Sequence, residues 1–460
     1  MIAKKNILSL FLLFLFLHLS VWTLVPSITN VNLPLDTIEA LAWGSNLDWG
    51  FIKHPPFSAF IINIIYHIFG SNDWSYYLLS QICVVISFWF VWKLSKEFFS
   101  NRIFSLLSLF ILEGIVFFNY TTPEFNVYVC QLPLKAMMVY FFWKSINKNN
   151  FIDWITTGFL GALGILTHYS FIFLILSLFI YFIFFTKKDK KVIKYFFTSF
   201  LIFFLMIVPH IFWLYENNFS TFNYALNRTG LENKNLIDHI YNPVIFIFKQ
   251  IGMLALFTII FLSIVSLKKK NKLSIYKVDK KKIFLLSINL LPILIVFFVS
   301  LISGTKIRTM WMSTFYLFFG ILFFYYFQKL IDLKKVKNFL YIFLFLFFLS
   351  PVTYFWVSTT DNTKRTDFPG KEISRLVQNK WNDNFVNDIK IVVGDEWAAG
   401  NLSYHLNSRP AWFNSLKNKS STIDEDKGVI YVGNPKILKK ICPGVFGEIA
   451  PIGYCMIGKR

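Results

Sequence analysis

The sequence predicts a polytopic, all-α membrane protein of about eleven transmembrane helices that ends in a small C-terminal α/β domain. Three observations predict this class: 55% of the residues are hydrophobic and only 15% are charged, the apolar residues form long runs, and the basic residues alternate between loops. A soluble chain carries about 25% charged residues, so a large globular core does not explain this composition.

Eleven apolar runs are the predicted transmembrane helices, because crossing ~30 Å of hydrocarbon takes ~20 apolar residues in a helix. The runs cover residues 6–25, 76–92, 103–119, 128–143, 151–167, 169–186, 195–213, 244–267, 283–302, 310–328 and 339–357. The first run is longer than the ~7–15-residue core of a signal peptide and lacks a small-x-small cleavage site, so we predict a retained span.

The distribution of lysine and arginine predicts the orientation. Basic residues are concentrated in alternate loops, for example at 93–102, 187–194 and 268–282, whereas the intervening loops carry few. The positive-inside rule places the basic loops and the N-terminus in the cytoplasm, and an odd number of spans places the C-terminal tail outside. These loops account for the net charge of +21, so nucleic acid is not a predicted partner.

Three outer segments are predicted to be more than connectors. They are residues 26–75, residues 213–243 and the C-terminal tail. In the first segment, residues 36–46 place apolar side chains at i, i+3 and i+4, which predicts an amphipathic helix. The predicted domains are a transmembrane domain, 1–357, and a soluble α/β domain, 358–460.

The tail has the composition of a soluble domain. Its predicted elements are helices at 370–385 and 396–406 and strands at 389–394, 428–433 and 452–458. Cys442 and Cys455 lie in it, and an oxidising compartment permits a disulfide between them, with two free thiols as the alternative. Asp395, Glu396 and Arg409 are its polar candidates for a role at a site, and surface solvation explains them as well.

The first outer segment brings charged residues together beside a rigid bend. Asp36 and Glu39 are three residues apart, so on a helix both carboxylates share a face. Lys53 and His54 precede a Pro-Pro pair, which ends any incoming helix and fixes an extended bend. A solvated interfacial loop is the simpler interpretation, but a fixed cation beside an acidic helix favours a site for a charged ligand at the membrane surface.

The stretch LDTIEALAWGSNLDWGFIKHPPFSAFIINIIYHIFG (35–70) resembles the first outer loop of the bacterial family 39 glycosyltransferases. These enzymes have the GT-C membrane fold and include protein O-mannosyltransferases and lipid A aminoarabinose transferases. Similar segments follow in the family's order at residues 161–170, 208–231, 306–311 and 394–413. The sequence departs from the family's pattern where Thr37 replaces the second acid of an Asp-Glu pair and His168 replaces a lysine. Either Glu124 or Asn126 matches a further acidic position.

The resemblance implies transfer of a sugar, with inversion, from a polyprenyl (undecaprenyl) phosphate donor on the periplasmic face of the bacterial inner membrane. Asp36 is then the candidate base for the incoming hydroxyl, assisted by Glu39 or Glu124. The candidate ligands of the donor phosphate, which gains negative charge as the sugar leaves, are Lys53, His54, Arg228, Lys306 and Arg308. His168 and Asn126 are secondary candidates. Interfacial anchoring is the alternative for the basic residues.

The resemblance implies lipid A or a related envelope glycolipid as the acceptor, because the compact first outer loop and the single small tail domain look more like those of the lipid A transferases than those of the protein mannosyltransferases; protein is the alternative. A polytopic transporter would place ionisable residues near the membrane midplane, whereas the charges here cluster at the outer ends of the spans. A ligase of the O-antigen type would carry its large loop late in the chain. Membrane lipids are expected partners. No metal is assigned, because the sequence shows no dense cluster of metal ligands. Two spaced carboxylates could still hold a divalent ion, so metal dependence is left open.

Overall fold

The computed structural model describes residues 4–230, 235–266, 279–415 and 427–460. Parts of the second outer segment and most of the basic loop at 268–282 lie outside these ranges. Within the described residues, the chain forms a bundle of membrane helices followed by an α/β domain.

The apolar runs predicted from the sequence are mainly helical in the described residues. The helices before the C-terminal domain are α1 (Lys4–Thr29), α2 (Leu35–Gly44), α3 (Phe57–Phe69), α4 (Asp73–Phe98), α5 (Arg102–Phe110), α6 (Val127–Lys148), α7 (Phe151–Thr167), α8 (Ile172–Phe185), α9 (Lys190–Glu216), α10 (Ser220–Arg228), α11 (Asp238–Met253), α12 (Ala255–Ile264), α13 (Lys280–Asn289), α14 (Leu291–Ser303), α15 (Met310–Ser313), α16 (Phe319–Tyr326) and α17 (Val336–Thr360). The prediction of a mainly helical, multi-pass membrane protein is confirmed.

Four helical segments of the described chain are long and apolar enough to cross a membrane alone. They are Asn6–Thr29, Asp73–Phe98, Lys190–Glu216 and Leu333–Thr360. Two further spans result if the pairs α11–α12 and α13–α14, bent by 48° and 43°, each count as one. The predicted number of eleven spans therefore stays a prediction, since several of the predicted runs form helices that are short or broken by 3₁₀ turns.

Local sequence signals explain the start of α6 and one close packing contact. The Asn126 side chain accepts hydrogen bonds from the backbone N–H groups of Tyr128 and Val129, both at 3.0 Å, and so caps α6. Such a cap satisfies amides that have no partner in the first helical turn. Where α7 meets α9, a Cβ atom on Gly158 would lie 2.1 Å from the carbonyl oxygen of Ser199, so this approach requires glycine.

In its described residues, the C-terminal domain has a five-stranded sheet and three α-helices. Its elements are α18 (Gly370–Asn382), β1 (Ile391–Val393), α19 (Ala398–His405), β2 (Ala411–Phe413), β3 (Val429–Gly433), α20 (Pro435–Ile441), β4 (Val445–Ile449) and β5 (Ile452–Ile457). The strand order is β2-β1-β3-β5-β4, with β1 parallel to both of its neighbours and β5 antiparallel to β3 and β4. The predicted small α/β domain is confirmed.

All five predicted tail elements are present, while β2, α20 and β4 were not predicted. Of the two alternatives for the tail cysteines, the structure shows the disulfide, between Cys442 and Cys455. Cys83 and Cys130 are free and buried within the bundle. The domain boundary at residue 357 stays a prediction.

A hydrophobic core is shared by the C-terminal domain and the first outer segment. One cluster of buried residues joins Ile38 and Leu41 of α2 to Leu402 of α19 and Ile430 of β3. The C-terminal domain is therefore packed directly against the helix that carries the two acidic candidates.

Candidate active site

Helix α2 presents its two carboxylates on one face and its apolar side chains on the other. Asp36 and Glu39 line the same cavity, as their spacing predicted. On the opposite side, Ile38 and Ala42 are fully buried against α19. A Cβ atom on Gly400 of α19 would lie 3.1 Å from the Cβ of Ala42 and 3.2 Å from Cγ2 of Ile38, so the two helices are in close contact.

The elbow loop, residues 47–56, holds Lys53 and His54 in place and is itself held by α9 and α10. The carbonyl oxygen of Trp49 accepts a hydrogen bond from Nδ1 of His210 at 2.6 Å. The carbonyl oxygen of Phe51 accepts one from Oγ1 of Thr221 at 2.8 Å. The predicted bend is therefore present, and tertiary contacts as well as the proline pair fix it.

Gly50 of the elbow loop could not be another residue without moving a neighbour. A Cβ atom there would lie 2.3 Å from the indole ring of Trp213 on α9. Phe51 stacks on Trp43 of α2, with ring centroids 5.4 Å apart. After the prolines, α3 begins at Phe57.

A cavity of about 390 Å³ lies where α2, the elbow loop, α10 and the start of α8 meet. The predicted site residues that line it are Asp36, Glu39, Lys53, His54, His168, Arg228 and Arg308. The aromatic and apolar walls include Tyr128, Tyr169, Phe173, Tyr224, Met310 and Trp311. The structure thus brings together charged residues from four separate parts of the sequence.

Lys53 is held between two carboxylates. Its Nζ lies 2.7 Å from Oε1 of Glu39 and 3.4 Å from Oε2 of Glu396, which belongs to the C-terminal domain. Burial lowers the pKa of Lys53, but the hydrogen bond and the charges of the two carboxylates outweigh burial, and the net pKa is raised. Burial raises the pKa of Glu39 to about 6, with Lys53 opposing the shift and Asp36 and Glu396 adding to it.

Asp36 and Glu124 form a second acidic pair. The backbone N–H of Asp36 donates a hydrogen bond to Oε1 of Glu124 at 3.0 Å. Burial raises the pKa of both carboxyls, but Lys53, a hydrogen bond from Asn126 and Arg228 oppose the shift at Asp36. Glu124 has no such cation and is raised further by Asp36. The nearby cations therefore favour the charged form at Asp36 more than at Glu124.

The two histidines of the cavity face each other, with ring centroids 5.3 Å apart. Burial and the charge of Lys53 lower the pKa of His54 to about 3, so its ring is neutral at physiological pH. Nδ1 of His168 accepts a hydrogen bond from the backbone N–H of Ser170 at 3.1 Å, which leaves Nε2 facing the Tyr128 hydroxyl at 3.5 Å. Both rings are suited to neutral hydrogen bonding.

The remaining predicted cations divide into two groups. Arg228, at the end of α10, and Arg308 line the cavity with exposed side chains. Lys306 is exposed and does not line it; its backbone N–H donates to the carbonyl oxygen of Thr229 at 3.3 Å, which joins the 304–309 segment to α10. Asn126 and Glu124 lie behind Asp36 and not on the cavity wall.

Tyr128, Tyr169 and Tyr224 were not given a role from the sequence, because they could not be told apart from packing aromatics. Glu396 was a polar candidate in the tail, with surface solvation as the alternative, but its contact with Lys53 was not predicted. Within the described ranges, no group of three His, Cys, Asp or Glu residues could hold a metal ion.

Comparisons with known proteins show what this chain is similar to in sequence and in fold. A family model described as dolichyl-phosphate-mannose-protein mannosyltransferase matches residues 53–213, from the elbow loop to the end of α9. A solved structure of ArnT from Cupriavidus metallidurans bound to undecaprenyl phosphate is similar over 98% of both chains, with a TM-score of 0.61 and 10% sequence identity. The same protein in the apo state gives 98% coverage of both chains, a TM-score of 0.62 and 10% identity. A search of curated proteins finds no match. The chain therefore has the fold of ArnT, and the resemblance to the GT-C enzymes is confirmed.

Proposed function

We propose that this protein is a glycosyltransferase that moves a sugar from a polyprenyl phosphate donor to lipid A or a related envelope glycolipid. The observation that carries the proposal is the single cavity that joins Asp36 to Lys53, Arg228 and Arg308. The solved ArnT structure with undecaprenyl phosphate supports a donor of this class.

The cations are arranged to hold the phosphate of the donor. Lys53 is fixed by the elbow loop, and the two arginines stand on more exposed walls of the same cavity. When the bond between the sugar and the phosphate breaks, negative charge grows on the phosphate oxygen, and positioned cations stabilise that charge. The apolar side chains of Ile172 and Phe173 on the wall suit the first units of a prenyl chain.

Asp36 is the proposed base. In a single displacement, the acceptor hydroxyl gives its proton to Asp36 while its oxygen bonds to the anomeric carbon, and the donor phosphate leaves with the electron pair of the broken bond. Glu124, whose pKa is raised by burial and by Asp36, keeps its proton and supports the aspartate. If the acceptor is itself a phosphate, Asp36 orients it and base strength matters less.

The proposed setting is the bacterial inner membrane, with the N-terminus in the cytoplasm and the C-terminal domain in the periplasm. The alternation of basic loops supports this orientation. The Cys442–Cys455 disulfide supports an oxidising compartment for the C-terminal domain.

A protein acceptor is the second candidate, because the family model over residues 53–213 describes a protein mannosyltransferase. Mass spectrometry of lipid A from cells with and without the gene separates the two. We expect lipid A to carry one additional sugar only when the wild-type gene is present. An unchanged lipid A profile together with a mass change in envelope proteins would favour the protein acceptor.

A Lys53→Met variant extends this test to the site. We expect the additional sugar to be lost with this variant, because the donor phosphate loses its fixed cation. Lys380→Met, at an exposed position of α18, is the matched control and should retain modification. Equal modification by both variants would contradict the role of Lys53.

A further inference from the structure

We infer that Glu396, contributed by the C-terminal domain, competes with the donor phosphate for Lys53 and thereby sets the affinity for donor and product. This inference rests on the proposed function. It makes Glu396 a positioning residue, which acts through the lysine and not on the sugar itself.

The loop that carries Glu396 has a fixed backbone. Oδ1 of Asp395 accepts hydrogen bonds from the backbone N–H groups of Trp397 at 2.9 Å and Ala398 at 2.8 Å. Gly394 has a φ of +156°, and a Cβ atom there would lie 2.6 Å from the carbonyl oxygen of Val432. Such a loop fixes the backbone from which the Glu396 side chain reaches Lys53, while the side chain itself can still rotate.

The C-terminal domain is also tied to the helix on the other side of Lys53. Arg409 donates a hydrogen bond to the carbonyl oxygen of Leu41 on α2, and its guanidinium lies 4.2 Å from the centre of the Tyr66 ring. Glu39 and Glu396 are therefore presented to Lys53 by two elements that are packed together.

The charge balance around Lys53 is unfavourable for an incoming anion. One ammonium faces two carboxylates, and the three side chains are only 22% (Lys53), 12% (Glu39) and 14% (Glu396) exposed, so water screens them weakly. A donor phosphate has to take the place of one carboxylate on the ammonium. Glu396 is the one to give way, because its contact is 3.4 Å long whereas that of Glu39 is 2.7 Å.

The same competition assists product release. The donor is a phosphate diester with one negative charge, whereas the product, polyprenyl phosphate, is a monoester whose second proton has a pKa of about 6. The product would bind a free Lys53 more tightly than the donor does. Return of Glu396 to the ammonium offsets this extra affinity.

The test measures binding of undecaprenyl phosphate to the full-length protein in phosphatidylcholine nanodiscs at pH 7.5. We expect Glu396→Gln to bind it about three- to tenfold more tightly, the size of one removed like-charge contact at a partly buried site. Glu396→Ala should change affinity in the same direction, so the result does not depend on how the glutamine packs. Glu372→Gln, which removes a carboxylate paired with Arg375 on the exposed face of α18, is the matched control and should bind like the wild type.

A role in domain packing alone would not produce this pattern. In a Lys53→Met background, Glu396→Gln should no longer raise the affinity, because the lysine is the group for which it competes. Unchanged or weaker binding by both Glu396 variants, with wild-type binding intact, would overturn the inference and leave the proposed function standing. Absence of undecaprenyl phosphate binding by the wild type would overturn the proposed function.

Discussion

Replacing Asp36 by asparagine should leave a folded membrane protein that binds donor but transfers almost no sugar. Asparagine has the same shape as aspartate, and the contact of residue 36 with Glu124 is made by the backbone N–H, which the substitution keeps. The packing of α2 on the C-terminal domain depends on Ile38 and Ala42, on the other side of the helix. The change therefore removes a charge without removing a packing contact.

The expected loss follows from the role of the carboxylate. A positioned general base contributes about 10²–10⁴-fold to the rate, which corresponds to roughly 2.7–5.4 kcal/mol in the activation free energy at about 1.36 kcal/mol per tenfold. Donor affinity should stay equal or rise slightly, because Asp36 faces Lys53 and Arg228 and competes with the phosphate for them. An acceptor that is a phosphate would reduce the loss below about tenfold, since little base strength is then needed.

The assay compares the rate at which lipid A is modified in membranes carrying equal amounts of each variant. Asp48→Asn is the matched control, because Asp48 lies in the same outer segment, is exposed and does not line the cavity. We expect the control to keep the wild-type rate. Wild-type modification by Asp36→Asn, with donor binding unchanged, would remove Asp36 from the reaction.

Three further outcomes follow from the geometry. Burial raises the pKa of Glu39 to about 6, so lowering the pH from 7.5 to 5.5 should protonate it. The protonated side chain no longer competes with the donor phosphate for Lys53, and the donor KM should fall. A similar pH dependence of the donor KM in Glu39→Gln would contradict this. Gly400→Val should destabilise the protein by about 1–3 kcal/mol by overpacking the α2–α19 contact, whereas Gly433→Val, with its nearest neighbour at 3.8 Å, should not; equal thermal unfolding of the two would count against the contact. Reduction of the Cys442–Cys455 disulfide, whose partners are 13 residues apart, should destabilise the C-terminal domain by about 3 kcal/mol, measured by its resistance to protease in the full-length protein.

Local patterns in the sequence predicted the helical architecture and the acidic helix. The spacing of Asp36 and Glu39 is a property of one helical turn, so it could be read without knowing what packs on α2. The prolines before α3 likewise act on their immediate neighbours. The prediction that Lys53 and Arg228 belong to one site depended on the scarcity of basic residues in the outer loops. That scarcity has a physical cause in membrane insertion.

Features that depend on distant parts of the chain were not predictable in the same way. The contact of Glu396 with Lys53 requires the C-terminal domain to dock on α2, and no periodicity in the sequence signals this docking. Strand β2 has only three residues and pairs in parallel with β1, which makes it too short for a pattern of alternation. The bend between α11 and α12 at Leu254 lies in a continuous apolar run, so hydropathy alone predicts one span there.

The attachment of the elbow loop to α9 has a consequence for engineering within this fold. Trp49 and Phe51 are fastened through their backbone oxygens to His210 and Thr221, and Gly50 fits only against Trp213. A chimera that imports this loop from a relative without the matching end of α9 and start of α10 would lose both anchors and the fit at the indole. The loop, the end of α9 and the start of α10 have to be transplanted as one unit, and residues 50 and 213 are expected to vary together among homologues.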